Sequence, residues 1–367
     1  MLYTKGIIVP KVITFQEAIK QSKNYKKRHL LLGNGFSIAY KHDIFTYNSL
    51  LDETDFSNIP EVLKVFKKLN AIDFEAIIKA LEQSSKIVSI YSDDTSLENK
   101  LNKHSIELKT ALVHTLASKH PEAPYAIGEE QYKNVRNFLS NFLGTEEEGN
   151  VYTLNYDLLL YWAIMHEEDS FGVKYNELTK GDGFGKEVGN INADYVVWQG
   201  ETNAHISQRI HYLHGALHLY DSGNELKKFT WINTGRKLIE QAKDAMDKNM
   251  YPLFVAEGTS EQKLTKIKHS AFLYHSYKSF YGMMNQAKNC LFIYGHSLAV
   301  NDMHILQKIA LGKVPQIFIS IYGDIKSIEN QKIVSTANAL VEDRMKFSEN
   351  KNTLLITFYD AKSATVW

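Results

Sequence analysis

Four times in this sequence a short apolar run breaks off into glycine and small polar residues. The stretches are His29 to Ser37 (HLLLGNGFS), Asn150 to Asp157 (NVYTLNYD), Arg209 to Gly215 (RIHYLHG) and Cys290 to Ser297 (CLFIYGHS). An apolar run of this length reads as a strand covered on both faces, the kind found in parallel sheets. In an open α/β sheet, ligand groups gather where the strands end at their carboxyl side. The four ends therefore predict one crevice lined by Thr153, Asn155, Asp157, His214, Gly295 and Ser297, with Gly33, Asn34, Gly35 and Ser37 at its first strand. Two glycines around Asn34 would leave bare backbone N–H groups for an anion such as a nucleotide phosphate. A plain tight turn has the same spelling.

The rest of the chain fits an α/β reading. Residues 290–360 alternate strand, helix, strand (QIFISIYG), helix and strand (TLLITFYD), the pattern of parallel βαβ units. Between them lie amphipathic stretches such as EVLKVFKKL, DFEAIIKALEQ and LKTALVHTLA, with apolar residues three and four apart. The expected organisation is a Rossmann-like, mostly parallel sheet begun in 1–58, interrupted by a helical insertion over 59–149 and continued in 150–220. A second, mostly helical insertion over 221–285 follows, and 286–367 ends the core. A chain of 367 residues exceeds the usual single-core size, which accommodates such insertions.

Lysine plus arginine (42) equals aspartate plus glutamate (42), so no global field favours nucleic acid or an anionic membrane. No apolar run reaches transmembrane length, and MLYTKGIIVPKVITF lacks a secretory cleavage site, so a cytoplasmic protein is expected. The single cysteine, Cys290, rules out an intrachain disulfide and a thiolate zinc ribbon. Its place at the start of a strand makes it a small core residue.

Other features are weaker. His211, His214 and His218 have metal-ligand spacing for a helix, but RIHYLHGALHLY is strand-like to Leu213 and broken at Gly215, so the three should point apart and no metal is expected. Lys180 to Gly189 (KGDGFGKEVG) resembles a phosphate loop without its strand and reads as a mobile surface loop. The basic segment Lys263 to His269 (KLTKIKH) offers a contact for nucleic acid but reads more simply as a solvated helix face. Asp324 and Asp360, after the last two strands, could hold the ribose of an adenosine or serve only as loop acids. Asp157 is equally an N-cap for the helix DLLLYWAI.

GNGFS, TLNYD, LHG and GHSL, in that order and each at a strand end, resemble the sirtuin fold family, and within it the NAD-consuming proteins of bacterial antiphage defence. The helical segments and YPLFVAEGTSEQKL resemble a branch found beside HerA-like ATPases. The resemblance implies a sheet that binds NAD and cleaves its nicotinamide–ribose bond, with Asn155 and His214 as catalytic residues. It implies Gly33, Asn34, Gly35, Ser37, Thr153, Asp157, Gly295, Ser297 and Asp324 around the dinucleotide. Two departures from deacetylating sirtuins stand out: one cysteine where the zinc ribbon needs four, and KHDIFTYNSLL where those enzymes carry a proline and an arginine.

The chemistry is consistent with that inference. Cleaving the glycosidic bond releases a neutral pyridine, so the protein must orient the substrate, exclude solvent and guide a nucleophile. An asparagine can position water, and a histidine can take a proton from water or a ribose hydroxyl. The expectation is an NAD hydrolase producing nicotinamide and ADP-ribose, a regulated effector of defence that needs no zinc. It should act as a homo-oligomer with a neighbouring HerA-like ATPase as partner. The alternatives are protein ADP-ribosylation or deacylation, and a subunit that senses NAD or an ADP-ribose derivative, or contacts nucleic acid, without turnover.

Overall fold

The computed structural model describes residues 10–41, 50–71, 74–92, 95–118, 121, 123–144, 149–186, 195–200, 208–229, 238–248, 250–255, 259–349 and 351–367. Its centre is a seven-stranded, all-parallel sheet of β1 (Val12–Ile13), β2 (Lys27–Leu32), β3 (Val151–Thr153), β6 (Ile210–Tyr212), β10 (Asn289–Tyr294), β11 (Gln316–Ile321) and β12 (Leu355–Asp360). The spatial order is β1-β12-β11-β10-β2-β3-β6. From β2 the chain steps one way to β3 and β6, then returns to build β10, β11 and β12 on the other side. This is the doubly wound arrangement, and the order reverses between β2 and β10.

The apolar runs form these strands because both faces are covered: all six residues of β10 and of β11 are buried. One cover is aromatic. Phe15 of α1 (Phe15–Gln21), Phe138 and Phe142 of α7 (Glu129–Leu143), and Phe292 and Tyr359 of the sheet meet at ring distances of 5.3–6.5 Å. Two buried arginines close helix ends. Arg136 donates to the carbonyls of Ala163 and Ile164 at the end of α8 (Leu159–Met165). Arg344 of α13 (Ile328–Phe347) donates to Ile309, Ala310 and Val314 at the end of α12 (Met303–Leu311).

After the short α3 (Leu50–Glu53), which precedes it, the first interruption is helical as expected: α4 (Pro60–Lys68), α5 (Phe74–Tyr91), α6 (Thr95–Ser118) and α7. α7 packs on β2 as a covering helix of the sheet, and α4, α5 and α6 bury Val62, Phe66, Phe74, Ile77, Ile78, Leu81, Leu108 and Leu112 in the same apolar cluster. The second interruption is mostly helical, with α9 (Leu238–Asp247), α10 (Ser260–His269) and α11 (Ala271–Met284), and it also contributes two strands to a five-stranded antiparallel sheet whose other three come from the segment expected to continue the parallel core. That sheet runs β4 (Phe184–Gly185), β5 (Tyr195–Trp198), β8 (Leu226–Phe229), β7 (Gly215–Asp221), β9 (Tyr251–Phe254).

The glycine-rich segment from Lys180 is not a mobile surface loop over its described part. Asp182 is buried and ion-paired with buried Lys228 of β8, and Gly181 accepts the N–H of Arg209 at 2.7 Å. Residues 187–189 of that segment lie outside the described residues, as do 1–9, 42–49 of KHDIFTYNSLL and 256–258 of YPLFVAEGTSEQKL. Among the described residues no helix is long and apolar enough to cross a membrane.

Candidate functional site

The sheet register sets the level of every candidate side chain. Tyr294 pairs with Leu32, Leu32 with Thr153, and Thr153 with Tyr212, so four neighbouring strands end together. The ladder runs one residue further: the N–H groups of Gly33, Leu154 and Leu213 donate to Tyr294, Leu32 and Thr153 at 2.9, 3.0 and 2.9 Å. Two positions beyond the last pairs stand His296, Asn34, Asn155 and His214, one from each strand. Adjacent strands are spaced by about 5 Å, so side chains at this level can converge.

At the reversal point the two glycine turns close on each other. The Gly35 N–H donates to the Gly295 carbonyl at 2.7 Å. A Cβ on Gly35 would lie 2.5 Å from the Gly295 Cα, and one on Gly33 would lie 2.7 Å from the same residue's carbonyl oxygen. Gly295 itself has φ 68°, a value that a side chain disfavours. The expected phosphate cradle of bare glycine amides is therefore corrected. The amides of Gly33 and Gly35 serve the junction between β2 and β10, because that close approach puts a carbonyl opposite each of them. Half-buried Asn34 and exposed Ser297 flank the junction, and the Gly295 N–H donates to Ser320 Oγ at 2.9 Å.

Beyond β3 a compact polar group forms. Thr153 Oγ1 accepts the N–H of Asn155 at 3.0 Å and turns the chain. Asn155 Nδ2 donates to the Gly33 carbonyl at 3.1 Å and to Ser37 Oγ at 3.0 Å. Ser37, on α2 (Gly35–Tyr40), donates onward to Asp157 Oδ2, while Asp157 Oδ1 accepts the N–H of Leu159 at 3.0 Å. Asp157 thus caps the start of α8 and also holds Ser37. Burial pushes its carboxyl up to about 6, against the pull of the Ser37 and Leu159 hydrogen bonds.

His214 follows β6 at a sharp reversal into β7. Gly215 makes that reversal with φ 73°, and a Cβ there would sit 2.0 Å from the Leu253 carbonyl oxygen. The imidazole meets groups carried by the loop after β10, by the first turn of α12 and by α10. Its Nε2 lies 3.1 Å from Nε2 of His304 and 4.0 Å from Asp302 Oδ1. Asp302 accepts from Lys263 Nζ at 2.8 Å on Oδ1 and from His296 Nε2 at 3.1 Å on Oδ2. His296 Nδ1 accepts the Leu298 N–H at 3.0 Å, which leaves Nε2 as the protonated nitrogen that faces the carboxylate.

All five residues are buried. Burial pulls His214 down to about 3 and His304 down to about 4, with Asp302 opposing both falls. Burial also works against ionisation of Asp302. The His296 hydrogen bond and the charges of His214, His296 and Lys263 outweigh it and hold Asp302 well below the usual carboxylate range.

His214, Asp302 and His304 offer ligand atoms that all lie within 4.8 Å of one another, a donor set that suits zinc or iron. The Lys263 ammonium already supplies a cation to the carboxylate oxygen in question, and the two imidazoles stand at hydrogen-bond distance.

The other predicted residues fall elsewhere. His211 stacks on Tyr152 at 4.9 Å and reaches Ser279, and His218 stacks on Tyr161 at 4.6 Å, so the three histidines do point apart. Exposed Asp324 takes the Lys326 N–H at 2.9 Å, and Asp360 takes that of Lys362 at 3.0 Å, both turn-forming roles. Lys263 corrects the reading of its segment as a solvated face: it lies on the same side of α10 as buried Ile267, four residues on, and points into the site. Sequence reasoning did not assign His296, Asp302, His304 and Ser260 to the site. Their one signal was position, within GHS or at the start of a helix.

No curated protein matches the chain. A family model matches residues 30–367, nearly the whole chain and every residue of the site, and the chain therefore belongs to the family described as the domain of unknown function DUF4917.

Proposed function

We propose that the protein is an NAD hydrolase that cleaves the nicotinamide–ribose bond to nicotinamide and ADP-ribose, acting as a regulated, NAD-depleting effector of antiphage defence. The observation that carries this reading is the common level of Asn155 and His214 beyond adjacent strands, beside the reversal point of a doubly wound sheet. Asn155 has its amide nitrogen tied to Gly33 and Ser37, which leaves Oδ1 as the acceptor for a water or a ribose hydroxyl. Ser37 and Asp157 hold that orientation from behind. His214 is kept unprotonated by burial and is able to accept a proton, with Asp302 close enough to stabilise the cation formed. Ser297 and Asn34 flank the glycine junction, where the dinucleotide phosphates would lie, and exposed Asp324 lies after the next strand for the ribose.

The reading uses no zinc: Cys290 is the one cysteine, buried in β10, and Lys263 neutralises the carboxylate nearest His214. NAD enters as substrate. Cleavage that is lethal when unchecked calls for control by assembly, so a homo-oligomer with a HerA-like ATPase partner belongs to the proposal. The test is chromatographic measurement of nicotinamide released from NAD, with and without the neighbouring ATPase. Asn155→Ala and His214→Ala should each lose about 100-fold or more, while exposed His269→Ala keeps the parental rate. NAD binding without release of nicotinamide by the parent, in every assembly tried, would replace the hydrolase with a sensor.

A further inference from the structure

His214 is not a solitary base. Its Nε2 and that of His304 are 3.1 Å apart, with the ring planes at 21°. Two imidazole nitrogens at that distance share one proton, since two N–H groups would repel and two bare nitrogens would leave no bond. The second nitrogen of His304, Nδ1, lies 3.1 Å from Ser260 Oγ, and the same oxygen accepts the backbone N–H of His304 at 2.7 Å. A hydroxyl can donate to Nδ1 or accept from it. The three residues therefore have two settings. In one, Ser260 donates to His304 and His304 donates to His214. In the other, His214 donates to His304, His304 donates to Ser260, and His214 Nδ1 is the bare nitrogen.

We propose that Ser260, His304 and His214 form a proton relay in which His304 takes over, from the far side of His214, the proton equivalent that His214 removes from its substrate. The proposal rests on the reading of His214 as the base. In the second setting, an O–H bond of water or a ribose hydroxyl breaks and its proton joins His214 Nδ1. The proton on His214 Nε2 then passes to His304 Nε2. The substrate oxygen keeps the electron pair, His214 ends neutral with its proton on Nδ1, and the positive charge rests on His304. His304 and Ser260 are positioning residues, since neither need touch the substrate.

The surroundings suit such a transfer. Asp302, which precedes α12, faces His214 at 4.0 Å; Lys263 of α10 and His296 of the β10 turn occupy its two oxygens and fix its orientation. One buried imidazole would carry the whole desolvation cost of a cation, whereas two share it. The relay also leads outward: His214 and His304 are buried, while Ser260, at the first turn of α10, is half-buried and gives the proton a way to water.

The test combines kinetics with histidine side-chain nitrogen NMR on the full chain. His304→Ala and the shape-preserving His304→Gln should lower kcat for NAD cleavage by about 10- to 100-fold, the scale of a lost orienting partner, with KM changed little. The acid limb of the kcat–pH profile should move in both variants, and in Ser260→Ala in the same direction but less. In the parent, the nitrogen shifts of His214 and His304 should show a proton shared between them, and His304→Gln should convert His214 to a single tautomer. Two independent rings in the parent spectra would overturn the relay whatever the activity, as would parental kcat in folded His304→Gln. So would one equivalent of tightly bound zinc lost on His304→Ala, since both rings would then be ligands. If the parent cleaves no NAD but the spectra keep the shared proton, the hydrolase reading fails and the relay stands.

Discussion

Lowering the pH should unfold this protein cooperatively near pH 5. Four histidines are buried and held far below their ordinary value of 6.5: His29, His211 and His214 to about 3, and His304 to about 4. Burial is the largest cause for each, reinforced at His29 by Lys27 and Arg209 and at His211 by His275. His29 has a further reason to stay unprotonated, because its Nδ1 accepts the Asn150 N–H at 3.0 Å between β2 and β3. As the pH falls below 6.5 the unfolded chain takes up protons that the folded chain refuses, so stability is complete above 6.5 and drains away towards 4.

Each such group costs about 1.4 kcal/mol per pH unit once the window is entered, so four cost roughly 6 kcal/mol by pH 5.5. Asp157 works the other way. Its folded value of about 6 exceeds the ordinary 3.8, so acidification favours the native state and returns about 1 kcal/mol over the same range. The balance, about 5 kcal/mol, matches the low end of the total stability of a native protein. Urea unfolding followed by circular dichroism at pH 7.5, 6.5, 6.0 and 5.5 reads this directly. The slope of unfolding free energy should approach about three protons below pH 6, and His211→Gln should remove about one of them. A flat profile from pH 7 to 5, or an unchanged slope in His211→Gln, would refute burial as the force that keeps these rings neutral.

Two further outcomes follow from other parts of the molecule. Gly35→Ala and Gly295→Ala each drive a Cβ into backbone about 2.5 Å away, so each should lower stability by about 2–4 kcal/mol, read as a fall in Tm, and should weaken NAD binding by parting β2 from β10. On the helical insertion, Ile87, Ile90 and Tyr91 of α5 and Leu97 and Ile106 of α6 are exposed, and light scattering at micromolar concentration should return a mass above the 42.0 kDa of one chain. Ile90→Glu combined with Tyr91→Glu should return the mass towards that of one chain.

The parallel sheet was legible because its strands are covered on both sides and so spell themselves as unbroken apolar runs. The antiparallel sheet was not, and its strands show why. β4 has two residues, β8 reads LKKF with Lys228 turned inward to Asp182, and β9 carries Pro252; none alternates long enough to announce itself. β7 was hidden by β6, because RIHYLHGALHLY runs through both strands with only Gly215 to separate them.

The site divides along the same line. Asn155, Asp157 and His214 could be named from the sequence, because a strand end fixes the level at which the next polar residue stands. Which groups then meet is decided by the segments that follow the strands. His304 lies 90 positions from His214, and Lys263 lies 39 from Asp302 in a stretch whose charges look solvated until the helix is in place. Strand order brings the β10 loop and α10 to His214, and strand order is a property of the whole chain. A reading of local patterns therefore finds the polar residues at strand ends earlier than the residues packed around them. The lysine paired with Ile267 at a spacing of four was the one local hint that α10 faces the site.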